Sequence, residues 1–122
     1  MVHIIDDDCV YRKVMLQIIL DLGFNAIAFS SGSSYLKHME RSNYKQPQVI
    51  FSDMNMPGLS GLATLRKVMS SYPDIPCYLV TGNMRQFEQM NLSDVAIREI
   101  LRKPVQFQKI ELILQSLKQG RL

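Results

Sequence analysis

Short apolar-rich runs recur along the chain at Val2 to Ile5, Val49 to Ser52, Tyr78 to Val80 and Glu99 to Arg102, with helix-like stretches between them. Unalternating runs of this length suit strands covered on both faces, whereas apolar positions returning every three or four residues mark helices with one buried side. The pattern predicts a strand at Val2–Asp6 and a helix at Val10–Leu22, in which Val14, Ile18 and Leu22 repeat and Gly23 supplies the stop. A strand at Asn25–Phe29 follows, then a turn at Ser30-Ser31-Gly32 and a helix capped by Ser33 or Ser34 with Tyr35, Leu36 and Met39 on its apolar side. Lys45-Gln46-Pro47 breaks the chain before a strand at Gln48–Asp53, a turn-rich loop from Met54 to Gly61 and a helix at Leu62–Ser71. Beyond Pro73 and Pro76 come a strand at Cys77–Thr81, a polar helix near Arg85–Met90 with a thin apolar pattern, and a strand at Arg98–Arg102. The last helix, Phe107–Lys118, aligns Ile110, Ile113, Leu114 and Leu117.

Strands alternating with helices predict an α/β fold with a parallel sheet, because each right-handed crossover needs a helix between neighbouring strands. The acidic run Asp6-Asp7-Asp8, then Asp53, Thr81 and Lys103, each stand where a predicted strand ends, so the sheet gathers them at its carboxyl edge. Ligands of open α/β sheets bind at that edge. Carboxylates beside one ammonium and one hydroxyl can hold a hard cation together with an anionic oxygen group.

At 122 residues the chain reads as one domain, 1–122, large enough to bury a substantial core. A net charge of +3 with scattered basic residues gives little support to nucleic-acid binding, and no apolar run approaches membrane-spanning length. Cys9 and Cys77 form no C-x-x-C pair, and His3 and His38 lack zinc spacing, so a reduced, cytoplasmic protein is expected. The start of the chain has no signal-peptide pattern. Each residue at the sheet edge has an ordinary alternative: Asp as a helix cap, Asp53 as a turn residue, Thr81 as a strand end, Lys103 as a surface charge. Capping requires no distant partners, and the coincidence of all four favours a shared site.

Ile4-Ile5-Asp6-Asp7-Asp8, Arg12, Ser52-Asp53-Met54-Asn55-Met56-Pro57-Gly58, Val80-Thr81-Gly82 and Lys103-Pro104, in that order, resemble the signature of receiver domains of two-component response regulators. The resemblance covers essentially the whole chain. It implies a flavodoxin-like doubly wound five-stranded parallel sheet of order 2-1-3-4-5 with helices on both faces. It also implies that Asp53 accepts a phosphoryl group from a histidine kinase or histidine phosphotransfer protein. By the same resemblance, Asp6, Asp7, Asp53 and the backbone carbonyl of Asn55 hold Mg²⁺, Lys103 pairs with the acceptor or its phosphoryl oxygen, and Thr81 moves inward to donate to that oxygen. Pro104 follows a cis peptide bond in the family. The switching surface is the face made by the fourth helix, fifth strand and fifth helix, where a downstream protein would bind.

Ile100 departs from the pattern, since the family often carries Tyr or Phe three residues before the lysine. Asn55 and Asn83 occupy positions that tune phosphoryl hydrolysis in the family, and Ser60 reads as a cap for the third helix. Two other functions stay open: an adaptor or scaffold with a receiver fold whose output ignores phosphorylation, favoured by Ile100, and an aspartate-based phosphohydrolase. The latter would place an acid where Asn55 stands. Of the eight methionines, Met15, Met39 and Met69 are expected in the core, while Met54, Met56, Met84 and Met90 divide between core and partner contact.

Overall fold

A computed structural model describes residues 1–120. In chain order the elements are β1 (Val2–Ile5), α1 (Cys9–Asp21), β2 (Ala26–Phe29), α2 (Gly32–Met39), β3 (Val49–Asp53), α3 (Gly61–Ser71), β4 (Cys77–Thr81), a 3₁₀ turn (Met84–Phe87), β5 (Ile97–Arg102) and α4 (Phe107–Lys118). The strands form one parallel sheet of order β2-β1-β3-β4-β5. This is the doubly wound flavodoxin-like topology. Central strands β1, β3 and β4 are buried along their full length, as their uninterrupted apolar runs require.

Two apolar layers flank the sheet. One joins Ile4, Phe51, Tyr78 and Val80 to Met15 and Ile19 of α1 and to Ile110, Ile113 and Leu114 of α4. The other joins Ile5, Ile50, Cys77 and Leu79 to Tyr35 of α2 and to Leu62, Leu65 and Val68 of α3. Burying each such side chain contributes about 1.5–3 kcal/mol, so these two layers fix where the strand ends stand.

Three sequence expectations change. In α1 the fully buried positions are Met15 and Ile19, while Val14 is exposed and Ile18 and Leu22 are only partly covered. The apolar stripe is broad enough for either face, and packing on the sheet selects one. Helix α2 is capped by Ser31, whose Oγ accepts the Ser34 N–H at 3.0 Å, rather than by Ser33 or Ser34. No α-helix forms over 85–90, among the described residues, only the four-residue 3₁₀ turn.

That region has a physical reason to stay irregular. Asn83 and Asn91 accept backbone N–H groups two residues on, Arg85 and Ser93, and such local side-chain bonds compete with helix. Phe87, Leu92 and Val95 reach the second apolar layer with uneven spacing, and Arg66 of α3 pairs with Asp94 at 3.0 Å. The surface expected from a fourth helix is therefore an anchored loop beside β5, and the predicted fifth helix is α4.

Candidate functional site

The carboxyl ends of β1, β3, β4 and β5 meet at one edge. Asp6 continues the β1 ladder through its N–H, which donates to the Phe29 carbonyl at 3.0 Å, so its side chain points into the edge with 1% exposure. Its Oδ1 accepts the Asp8 N–H at 2.9 Å and its Oδ2 accepts the Lys103 ammonium at 3.0 Å. Arg12 donates from one turn into α1 to the Asp6 carbonyl at 2.7 Å. Asp7 is exposed beside it. Asp8 stands outside the pair and caps α1, accepting the Val10 N–H at 2.9 Å and the Tyr11 N–H at 3.2 Å.

Asp53 ends β3, across from Val80, and is 7% exposed. Its Oδ2 lies 3.8 Å from the Lys103 ammonium, and its Oδ1 accepts the Asn55 N–H at 3.4 Å. Burial, with Asp6 adding repulsion, pushes the Asp53 pKa from its ordinary 3.8 up to about 6, more than Lys103 and the Asn55 N–H offset. Gly61 opens α3 against this strand end: its N–H donates to the Met54 carbonyl at 2.8 Å, and a Cβ there would overlap the Asp53 carbonyl. Ser60 caps α3 through the Ala63 N–H at 3.1 Å, as its sequence position predicts.

Lys103 follows β5. Its N–H donates to the Thr81 carbonyl at 2.8 Å, the Lys103-Pro104 peptide is cis, and the ammonium lies 4.2 Å from the Tyr11 ring centroid. Burial opposes its charge, but the Asp6 hydrogen bond and the Asp53 and Asp6 charges outweigh that and raise its pKa. The ammonium therefore stays protonated.

One cation faces three carboxylates. Asp6, Asp7 and Asp53 each present an oxygen within 4.8 Å of the other two, the one acidic group of this kind among the described residues. All the donors are hard oxygens. A single ammonium beside three carboxylates leaves net negative charge at this edge, and the all-oxygen arrangement fits a small divalent ion that prefers carboxylate and water. No protein donor hydrogen-bonds the Asn55 carbonyl among the described residues, which leaves that oxygen free for the role the resemblance gives it.

Thr81 ends β4 and is wholly buried. Its Oγ1 accepts the Asn83 N–H at 3.0 Å and donates to Gln86 Oε1 at 2.8 Å. The Gln86 amide makes two further bonds with the Asn55 side chain, at 2.9 and 3.1 Å. Gln86 and Tyr11 are site residues that sequence reasoning missed. Gln86 lies in the stretch read as a poorly patterned helix, and Tyr11, in the first turn of α1, carries no spacing signal toward Lys103.

The remaining candidates stand apart from the edge. Ile100 is partly buried against the second apolar layer with Phe87. Cys9 is exposed, and burial pushes the Cys77 thiol up to about 12. His3 and His38 approach with ring centroids 5.8 Å apart, but they sit among Phe29, Tyr35 and Tyr44 under α2, an aromatic setting. Met15, Met54 and Met56 are buried, Met39 and Met69 partly so, and Met90 is exposed. No helix among the described residues is long and apolar enough to cross a membrane.

Known proteins similar to this chain in sequence or in fold are numerous. The chain is 38% identical over 82 residues to the C4-dicarboxylate transport transcriptional regulatory protein DctD of Rhizobium meliloti, covering 67% of this chain and 17% of that protein. It is 32% identical over 80 residues to the DNA-binding transcriptional regulator NtrC of Klebsiella pneumoniae, covering 66% and 16% respectively. The chain thus spans about a sixth of the length of these curated relatives. Among solved structures, a response regulator receiver domain protein from Clostridium thermocellum superposes with a TM-score of 0.83 at 24% identity, covering 98% of this chain and 94% of that one. The chemotaxis protein CheY4 of Vibrio cholerae gives 0.80 at 23% identity, covering 95% and 96%. These likenesses show the fold. The model of the response regulator receiver domain family matches residues 2–115, and with Asp6, Asp53, Thr81 and Lys103 assembled at one sheet edge, the chain belongs to that family of two-component signalling domains.

Proposed function

We propose that this receiver domain is a phosphoacceptor. A carboxylate oxygen of Asp53 attacks the phosphorus of a phosphohistidine on a kinase or phosphotransfer protein; the new O–P bond forms as the P–N bond breaks, and the imidazole nitrogen leaves with the electron pair. The observation that carries this reading is Lys103 Nζ set 3.0 Å from Asp6 and 3.8 Å from Asp53, one positive charge shared between two buried acids and held closer to Asp6 than to the acceptor. Phosphoryl transfer is largely positioning and stabilisation of equatorial oxygens, which an ammonium, a backbone N–H and a hydroxyl on rigid strand ends can provide.

Asp6, Asp7, Asp53 and the Asn55 carbonyl would hold Mg²⁺, which supplies neutralisation of the acceptor and of the incoming oxygens. Lys103 stays charged and pairs with a phosphoryl oxygen, while the Thr81 hydroxyl turns toward another. Loading would then alter the loop from Gly82 to Ala96 and its contact with β5, the surface we assign to a downstream protein partner. We place this action in the cytoplasm, where the kinase partner would meet it, without nucleic-acid contact or membrane insertion by this domain.

Incubation with Mg²⁺ and acetyl phosphate tests the reading. A hydroxylamine-labile phosphoprotein that is absent from Asp53→Ala is expected; no adduct, or an equal adduct on the variant, refutes it. A scaffold that ignores phosphorylation finds its support in aliphatic Ile100. It requires partner affinity to be unchanged by beryllofluoride and Mg²⁺.

A further inference from the structure

We infer that Gln86 is a positioning residue that latches Thr81 in the unloaded state, competing with the incoming phosphoryl group for the Thr81 hydroxyl proton. This rests on the phosphoacceptor reading and assigns a control to the same site. A threonine hydroxyl carries a single proton. Its oxygen accepts the Asn83 N–H at 3.0 Å, and its proton goes to Gln86 Oε1 at 2.8 Å, the nearer of two acceptors, the Asn83 carbonyl being 3.3 Å away.

Gln86 is itself held. Its Oε1 accepts Asn55 Nδ2 at 2.9 Å while its Nε2 donates to Asn55 Oδ1 at 3.1 Å, so two amides lie paired in a ring. One side chain therefore ties the loop after β4 to the loop after β3, at the residue whose carbonyl is assigned to the metal. Thr81 is wholly buried, so water is a poor substitute acceptor, and its proton reaches a phosphoryl oxygen only by leaving Gln86. Gln86 also lies in the 3₁₀ turn Met84–Phe87, next to Phe87, which packs on the second apolar layer with Ile100. Release of the amide would free that turn. The signal would pass through an amide latch and a loop where an aromatic ring is absent from position 100.

The test measures beryllofluoride affinity in saturating Mg²⁺ by backbone amide shifts, since the chain has no tryptophan to report the change. Wild type, Gln86→Met, Gln86→Ala, Thr81→Val and the double variant Thr81→Val/Gln86→Met are compared. Gln86→Met keeps length and apolar contact but removes the acceptor, and Gln86→Ala guards against a local packing effect of the methionine. Losing one neutral hydrogen bond that must break on loading should tighten binding about five-fold in either variant. In the Thr81→Val background the same change should have no effect, a coupling that a merely structural residue would not show. Unchanged or weaker binding in both Gln86 variants overturns the latch, as does equal tightening in the Thr81→Val background. Failure of the wild-type protein to bind beryllofluoride at all overturns the phosphoacceptor reading, and the latch with it.

Discussion

Replacing Asp53 by Asn removes a charge that the metal-free fold holds at a disadvantage, and the gain should depend on pH in a defined way. The Asp53 pKa rises from 3.8 to about 6 on folding, because of burial and then Asp6, which corresponds to about 3 kcal/mol lost at neutral pH. Between those values the folded protein retains a proton that the unfolded chain has released. Stability therefore falls as pH rises from about 4 to 6, and the penalty is complete above. His3 works in the opposite sense: burial, His38 and the amino terminus lower its pKa from 6.5 to about 4, so it gives a stability that is lost as pH falls through that window, again about 3 kcal/mol. The two contributions oppose each other in the wild-type protein. Asp53→Asn keeps an oxygen for the Asn55 N–H and removes one of them. Urea unfolding in EDTA from pH 4 to 8 should show the variant more stable by about 2–3 kcal/mol at pH 7.5, equal near pH 4, and rising steeply between. A variant that is less stable at pH 7.5, or a profile parallel to wild type, would refute the reasoning.

Other substitutions probe the neighbours of Asp53. Lys103→Met leaves Asp6 and Asp53 without their cation and should destabilise the metal-free protein by about 3 kcal/mol, with partial recovery in Mg²⁺, read by denaturant unfolding with and without the ion. Mg²⁺ affinity should be level above pH 7 and fall toward about ten-fold per pH unit below pH 6, where the proton on Asp53 competes; amide-shift titrations at pH 5, 6 and 7.5 measure it. Gly61→Ala forces a methyl group onto the Asp53 carbonyl, so the strand end must shift; Tm should drop by several degrees and Mg²⁺ binding should weaken together. Unchanged Mg²⁺ affinity in that variant would separate the α3 start from the site.

The strands and the residues at their ends were legible because a central parallel strand must be apolar on both faces, as β1, β3 and β4 are, and the carboxyl ends of parallel strands converge at one edge. Val49 to Asp53 and Cys77 to Thr81 appear where their patterns place them. Helix faces were less legible: α1 carries apolar side chains on more than half its circumference, and only contact with the sheet decides that Met15 and Ile19 go in while Val14 stays out. The fourth helix fails for a reason visible afterwards, in the Asn83 and Asn91 side chains that capture nearby N–H groups. Gln86 was hidden because a polar residue acting across 31 positions, on Asn55, leaves no periodic trace. Lys103, 97 positions from Asp6, acts across a still longer separation, yet its place after a strand gave it away.

Reductive trapping reads the acceptor position directly. Protein treated with acetyl phosphate and Mg²⁺ is reduced with borohydride, which converts an acyl phosphate to the corresponding alcohol, and digested for mass spectrometry. The side-chain geometry predicts homoserine at position 53, with Asp6 and Asp7 unaltered and no conversion when Mg²⁺ is chelated. Homoserine at position 6 or 7, or conversion at 53 that is indifferent to the ion, would contradict the assignment.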